Sequence, residues 1–192
     1  MITSNAKTGR RSVSARMMMN PRAAALAAVL IAGTTAVALA QAGGATAIGN
    51  FKDWNAFTST DANGKMCFVA TQPTDSKYSQ PVSGRDAAFF QITRIPTKNV
   101  VNEASSIVGY TFASGAEVTI DIDGTKFKMF LDDSHPDTAW AVPDQEAALI
   151  EAMKKGHQLT LTGKSKRGTT VTDIYSLQGV SAALDKLGKD CP

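Results

Sequence analysis

Residues 117–131 read EVTIDIDGTKFKMFL, two alternating runs joined by Asp123-Gly124. A two-residue hairpin needs φ > 0 in its turn, and an Asp-Gly pair between alternating apolar runs supplies it. With Ile122 facing Thr125, the register sets Asp121 opposite Lys126, Ile120 opposite Phe127 and Val118 opposite Met129. One face then carries Val118, Ile120, Ile122, Phe127 and Met129. The other carries Thr119, Asp121, Lys126 and Lys128, with an opposite-charge pair across the strands. A one-residue slip would turn every apolar side chain to water, so the pattern holds its own register. One face seeks a core and one seeks solvent, which predicts a mainly β protein built as an antiparallel sandwich.

The N-terminus is read as an address. Arg10, Arg11, Arg16 and Arg22 precede or border an apolar run over 23–40 that ends Ala38-Leu39-Ala40 before Gln41. A basic start, an apolar middle and a small-x-small end describe a secretory signal peptide over 1–40, cleaved between Ala40 and Gln41. The alternative is a retained membrane anchor. Cleavage changes the charge. Of 20 bases, five lie before Gln41, and none of the 17 acids does. The mature chain of 152 residues therefore holds 15 bases and 17 acids, a net charge of −2. The basic balance belongs to the export signal, and no basic stripe with interleaved aromatics suggests nucleic acid. The expected location is the periplasm, the envelope or the exterior of a bacterium, with no stable membrane span after cleavage.

Residues 41–50 are small and predict a flexible lead-in; 51–192 form one domain, large enough to bury a core. Strands are expected at the start of the domain, over 65–71, 87–95, 100–110 and 138–142, and over 157–164 and 169–177. The polar stretch 74–84 reads as a loop. Thr169 to Leu177 has mixed parity, with Val171 and Tyr175 opposite to Ile174, so its inward face is open. A helix follows Pro143, with Asp144 as N-cap, Leu149, Ile150 and Met153 inward, and Gly156 as its stop. A second amphipathic segment carries Val180, Ala183, Leu184 and Leu187 and is expected to end at Gly188. Trp54 and Trp140 read as core residues rather than ligand platforms.

Cys67 and Cys191 are the only cysteines. In an oxidising compartment they read as one disulfide, against two free thiols or pairing with another chain. No catalytic grouping emerges. His135 and His157 lack metal-ligand spacing, and the acidic loop at Asp132, Asp133 and Asp137 lacks the alternating pattern of a calcium loop. No nucleophile elbow, phosphate loop or dinucleotide fingerprint is present. The sequence thus assigns no catalytic residue, metal or cofactor. The most basic mature stretch is Lys164-Ser165-Lys166-Arg167-Gly168, a hairpin tip with Lys164, Lys166 and Arg167 as candidate contacts for an acidic partner or envelope component. The leading reading is a non-enzymatic exported protein that acts by protein or envelope contact. The alternative is a small periplasmic ligand-binding protein or enzyme, with Asp173, Tyr175 or the acidic loop lining a pocket.

An ordered series of short motifs resembles the invasion-associated locus B family of exported alphaproteobacterial proteins. The series runs Trp54, Cys67, Gly109-Tyr110, the 117–131 hairpin and Ala139-Trp140. It continues through Ala152-Met153-Lys154-Lys155-Gly156, Arg167-Gly168-Thr169, Asp173-Ile174-Tyr175-Ser176-Leu177-Gln178-Gly179 and Cys191. The match spans about 51 to 191 and rests on order and spacing. Many members carry a further cysteine just after the first Trp. Here Trp54-Asn55-Ala56-Phe57 has none, so a second disulfide is excluded. The resemblance implies a periplasmic or envelope β-sandwich of immunoglobulin-like build, linked in some pathogens to host-cell invasion, with no catalytic residues to carry over.

The export reading predicts that the intact mass of exported protein matches a chain beginning at Gln41; a mass retaining 1–40 would contradict it.

Overall fold

The computed structural model describes residues 44–62 and 64–192. The signal segment over 1–40 and its Ala40/Gln41 cleavage site lie outside them. Eleven strands form: β1 (Thr46–Phe51), β2 (Trp54–Asp61), β3 (Gly64–Thr71), β4 (Asp75–Tyr78), β5 (Phe89–Ile95) and β6 (Val100–Ile107), then β7 (Val118–Ile122), β8 (Thr125–Leu131), β9 (Thr138–Ala141), β10 (Gln158–Lys164) and β11 (Thr170–Ser176). The described residues also hold two α-helices, α1 (Pro143–Lys155) between β9 and β10, and α2 (Val180–Asp190) after β11.

The β7–β8 hairpin has the register its sequence dictates, from Val118 opposite Met129 to Ile122 opposite Thr125. Asp123 (φ 49°) and Gly124 (φ 94°) both turn through positive φ, as a primed two-residue turn requires. All five apolar residues of the inward face are buried.

Every pairing is antiparallel, and the strands follow one continuous order, β1-β2-β3-β5-β6-β9-β8-β7-β10-β11-β4. Two separate immunoglobulin-like sheets were expected; the ladder instead runs unbroken. It curls so that the β2 end approaches the β11 end. β2 and β11 are each second from an end of the order, yet the Trp54 indole N–H donates to Ser176 O at 3.0 Å. The Asp53 amide donates to Gln178 O nearby. Trp54 meets Phe90 edge-on at 6.4 Å, and Phe90 meets Tyr175 at 5.8 Å. Right-handed twist accumulates over many strands and brings the two inner faces together.

Two strands lie where the sequence reads as irregular. Residues 46–50 of the expected flexible lead-in belong to β1, which pairs with β2. Its small residues extend because β2 offers a free edge and Ile48 and Phe51 pack against the core. Residues 75–78 of the expected loop form β4 on the opposite edge, against β11. A short, polar Asp-Ser-Lys-Tyr strand suits an edge, where charge discourages further pairing.

Both helices lie over the core. Leu149, Ile150 and Met153 of α1 and Val180, Ala183, Leu184 and Leu187 of α2 are buried. The N-cap of α1 is Val142 rather than Asp144, because Pro143 takes the first helical position, which needs no amide hydrogen. Asp144 and Glu146 fall in the first turn, Lys154 and Lys155 in the last, matching the helix dipole. Gly156 caps in an extended conformation, not the left-handed one. α2 continues through Gly188 to Asp190. A glycine costs a helix interior about 1 kcal/mol, less than the burial of Leu184 and Leu187 around it provides.

Cys67 on β3 and Cys191 at the end of α2 form a disulfide across a sequence separation of 124 residues. Both are buried, and no described cysteine is free. Closing so long a loop stabilises by up to about 5 kcal/mol through the unfolded chain. The C67A/C191A protein should therefore unfold at lower urea, with a loss of about 3–5 kcal/mol and an unchanged far-UV dichroism spectrum. An unmoved midpoint would show that the crosslink adds nothing.

Candidate functional site

β11 settles the open parity. Val171, Asp173 and Tyr175 point inward, and Ile174 points to the other face. Inward parity places a carboxylate in the protein interior: Asp173 is 0% exposed. A buried charge needs a partner, and the partner comes from the loop between β4 and β5. Arg85 forks onto Asp173, Nη2 to Oδ2 at 2.6 Å and Nη1 to Oδ1 at 2.8 Å. Bidentate charge-assisted pairs of this kind fix direction as well as distance. Ser76 on β4 donates its hydroxyl to Asp173 Oδ1 at 2.7 Å. Arg85 Nε donates to Val108 O at 2.7 Å. The guanidinium lies against the Tyr110 ring at 5.2 Å and the Tyr78 ring at 5.9 Å. One arginine thus joins the loop, β4, β11 and the segment after β6.

The ionisation states follow. Burial alone would draw the Arg85 guanidinium down; its bonds to Asp173 and Tyr78 outweigh that and raise it, so it stays charged. Burial pushes the Tyr110 phenol up, and the Asp173 charge adds to this. The Tyr110 hydroxyl therefore stays protonated, and it has no hydrogen-bond partner among the described residues.

The loop carrying Arg85 is held on both sides of its exposed 81–84 stretch. Ser79 N donates to Thr170 O at 2.9 Å, and Thr170 N donates back to Ser79 Oγ at 2.9 Å. Gln80 Nε2 reaches Thr169 Oγ1 at 2.8 Å. Asp86 N donates to Gly109 O at 3.1 Å. Gly109 has φ 67°, and a methyl group there would stand 2.1 Å from Asp86 O. Only glycine allows this approach of loop and strand end.

These elements enclose a cleft of about 490 Å³. One wall is the pinned loop, with Tyr78, Val82, Arg85 and Asp86. The base runs along Gly109, Tyr110 and Thr111. The facing wall is the β10–β11 tip, with Ser165, Lys166, Arg167 and Thr169. The tip is itself ordered: Lys166 N donates to Thr111 O, Ser165 N to Thr169 O and Gly168 N to Ser165 O, all at 2.8–2.9 Å. Lys166 and Arg167 are exposed, and neither pairs with an acid among the described residues. Of the three cations singled out in the sequence, these two line the cleft; Lys164 does not.

The remaining candidates sit elsewhere. Asp173 lies beneath the cleft, bound to Arg85, and Tyr175 lies deeper in the core. The acidic loop is closed on itself: Asp132 Oδ1 accepts from Ser134 N, which holds its carboxyl below the usual carboxylate range. His157 is tied to the hairpin turn, its amide donating to Asp123 Oδ2 at 2.9 Å and lowering that carboxyl in the same way. No group of three or more metal-ligating side chains occurs among the described residues. Trp54 is buried as expected. Trp140 is only half-buried, stacked on exposed Phe130 at 5.9 Å with His135 edge-on at 5.5 Å. Among the described residues no helix is long and apolar enough to cross a membrane.

Arg85 carries no signal in its own surroundings, Gly84-Arg85-Asp86. The pointer was Asp173, an acid between two apolar residues of one parity, which once inward demands a cation. Replacing Asp173 by Ala should cost about 3–5 kcal/mol, because it strands Arg85 without its counter-charge. An R85M/D173L pair should recover much of that loss in urea unfolding. If D173A costs under about 1 kcal/mol, the level of an exposed pair, the fork does not hold the loop.

The family model described as Invasion associated locus B (IalB) protein matches residues 54–188. No curated protein matches in sequence. Among solved structures, the crystal structure of invasion associated protein B from Bartonella henselae superposes with a TM-score of 0.53 at 14% identity. The match covers 75% of this chain and 96% of that one. At that identity the likeness is one of fold.

Proposed function

The chain belongs to the invasion associated locus B family, and we propose that it is an exported, non-enzymatic β protein acting by contact with a protein or envelope component. One observation carries this reading: Lys166 and Arg167 project from an ordered hairpin tip with no acid paired to them among the described residues. Cations carried on an ordered backbone attract acidic surfaces without the cost of ordering the loop that bears them. The mature chain is slightly acidic, so the tip stands out against its surroundings. Export to the periplasm or beyond is supported by the N-terminal signal and by a disulfide suited to an oxidising compartment. We read the curled antiparallel ladder as a sandwich-like scaffold for the tip and the loop beside it. The relatives' names say only that they are invasion associated; for this chain invasion enters only as one setting in which such contact would operate.

A second reading, a periplasmic ligand-binding protein, is favoured by the cleft. Its volume of about 490 Å³ falls in the range of small-molecule sites, and polar groups converge on it from both walls. Enzymatic turnover finds less support, since the one buried carboxylate below the cleft is held by Arg85 and Ser76.

The contact reading is tested by fractionation of intact cells. K164A/K166A/R167A should shift the exported protein from envelope to soluble fractions, and raised salt should do the same to the parent. Unchanged partition of the triple variant would remove the tip from the contact.

A further inference from the structure

We propose that the cleft between the pinned loop and the β10–β11 tip binds a phosphorylated sugar, its phosphate at Lys166 and Arg167 and its ring hydroxyls at Asp86. The inference deepens the contact reading by giving the tip a ligand. The cleft is asymmetric in charge. Its tip wall carries two free cations, whereas Arg85 in the loop wall is neutralised by Asp173 and adds no net charge. A guanidinium fork beside an ammonium suits the several oxygens of a phosphate.

A simple anion would satisfy only that end. Asp86 on the facing wall is exposed, and its carboxylate has no partner among the described residues. An ionised carboxylate only accepts hydrogen bonds. It repels a bare phosphate and favours a ligand that also offers hydroxyl donors. On the same wall as Asp86, Tyr78 and Val82 are 37% and 43% exposed. They supply an aromatic face and an apolar edge, a surface on which the C–H face of a sugar ring can lie. An anion site on the tip wall, facing a hydroxyl acceptor beside a partly apolar surface on the loop wall, describes a sugar phosphate. The volume takes one or two rings. The walls are already in place, through the Arg85 fork, the Ser79–Thr170 pair and the Lys166–Thr111 bond, so little ordering cost opposes binding.

The same chemistry occurs in a free sugar phosphate and in a phosphorylated sugar lipid headgroup. The test uses the protein purified as cells export it. Titration calorimetry compares glucose 6-phosphate, glucose and inorganic phosphate. Glucose 6-phosphate should bind most tightly. K166A/R167A should weaken it by about tenfold or more, the loss of one or two charge-assisted bonds. D86N should weaken glucose 6-phosphate while leaving inorganic phosphate unchanged or tighter. Phosphatidylcholine vesicles doped with a monophosphorylated diglucosamine lipid form the second arm. Retention lost in both variants places the source at a membrane; binding of the soluble ester alone places it in solution. Equal affinity for phosphate and glucose 6-phosphate, or no binding of either with no retention on the doped vesicles, overturns the proposal. Binding of glucose 6-phosphate alongside unchanged envelope fractionation of K164A/K166A/R167A would sustain the cleft and reject the contact reading; the converse pattern would do the opposite.

Discussion

The inward parity of β11 is the constraint on which the cleft and its pinned loop depend. Once Val171 and Tyr175 are committed to the core, strand geometry takes Asp173 in with them. A carboxylate without water demands a cation, and the fold brings Arg85 across 88 positions of chain to meet it. The net stability of such a pair is small, because desolvation offsets attraction. What it fixes is position. The loop from β4 to β5 would otherwise be a ten-residue polar excursion free to sample many conformations. Anchored at Arg85, and tied at Ser79, Gln80 and Asp86, it becomes a wall.

The sheet topology sets where that wall stands. Because the ladder curls until β2 and β11 share the core, each edge is left with a short or irregular strand. One edge, β4, lies beside the cleft. The other, β1, is closed over by α2, which the disulfide fastens to β3. The domain therefore tethers its tail at one edge and forms a polar cleft at the other, where the β10–β11 tip carries charge with no acid paired to it among the described residues.

Much of this was legible in the sequence. The 117–131 hairpin declares its register through alternation and its turn through Asp-Gly, both local facts. The two cysteines, the helix after Pro143 and the apolar spacing of α2 are equally local. The two misread strands share one cause: they depend on edges. β1 and β4 have weak patterns of their own and become strands only because a neighbour offers unpaired hydrogen bonds. The continuity of the ladder is likewise a long-range property, since no single segment shows whether a sheet ends or curls. Lys166 and Arg167 could be singled out as a basic tip, but their facing wall could not, because Arg85 is chosen by an acid 88 positions away. The family resemblance was legible as an order of small motifs, and two of them, Gly109-Tyr110 and Arg167-Gly168-Thr169, turn out to border the cleft.

The central claim is that the loop between β4 and β5 is a fixed wall rather than a mobile excursion. Native-state hydrogen exchange reads it directly at the amides of Ser79 and Asp86, which bond to Thr170 O and Gly109 O. The account predicts that both exchange slowly, within the range of the core strand amides of β10 and β11. Exchange of both at the rate of an unstructured peptide would contradict it.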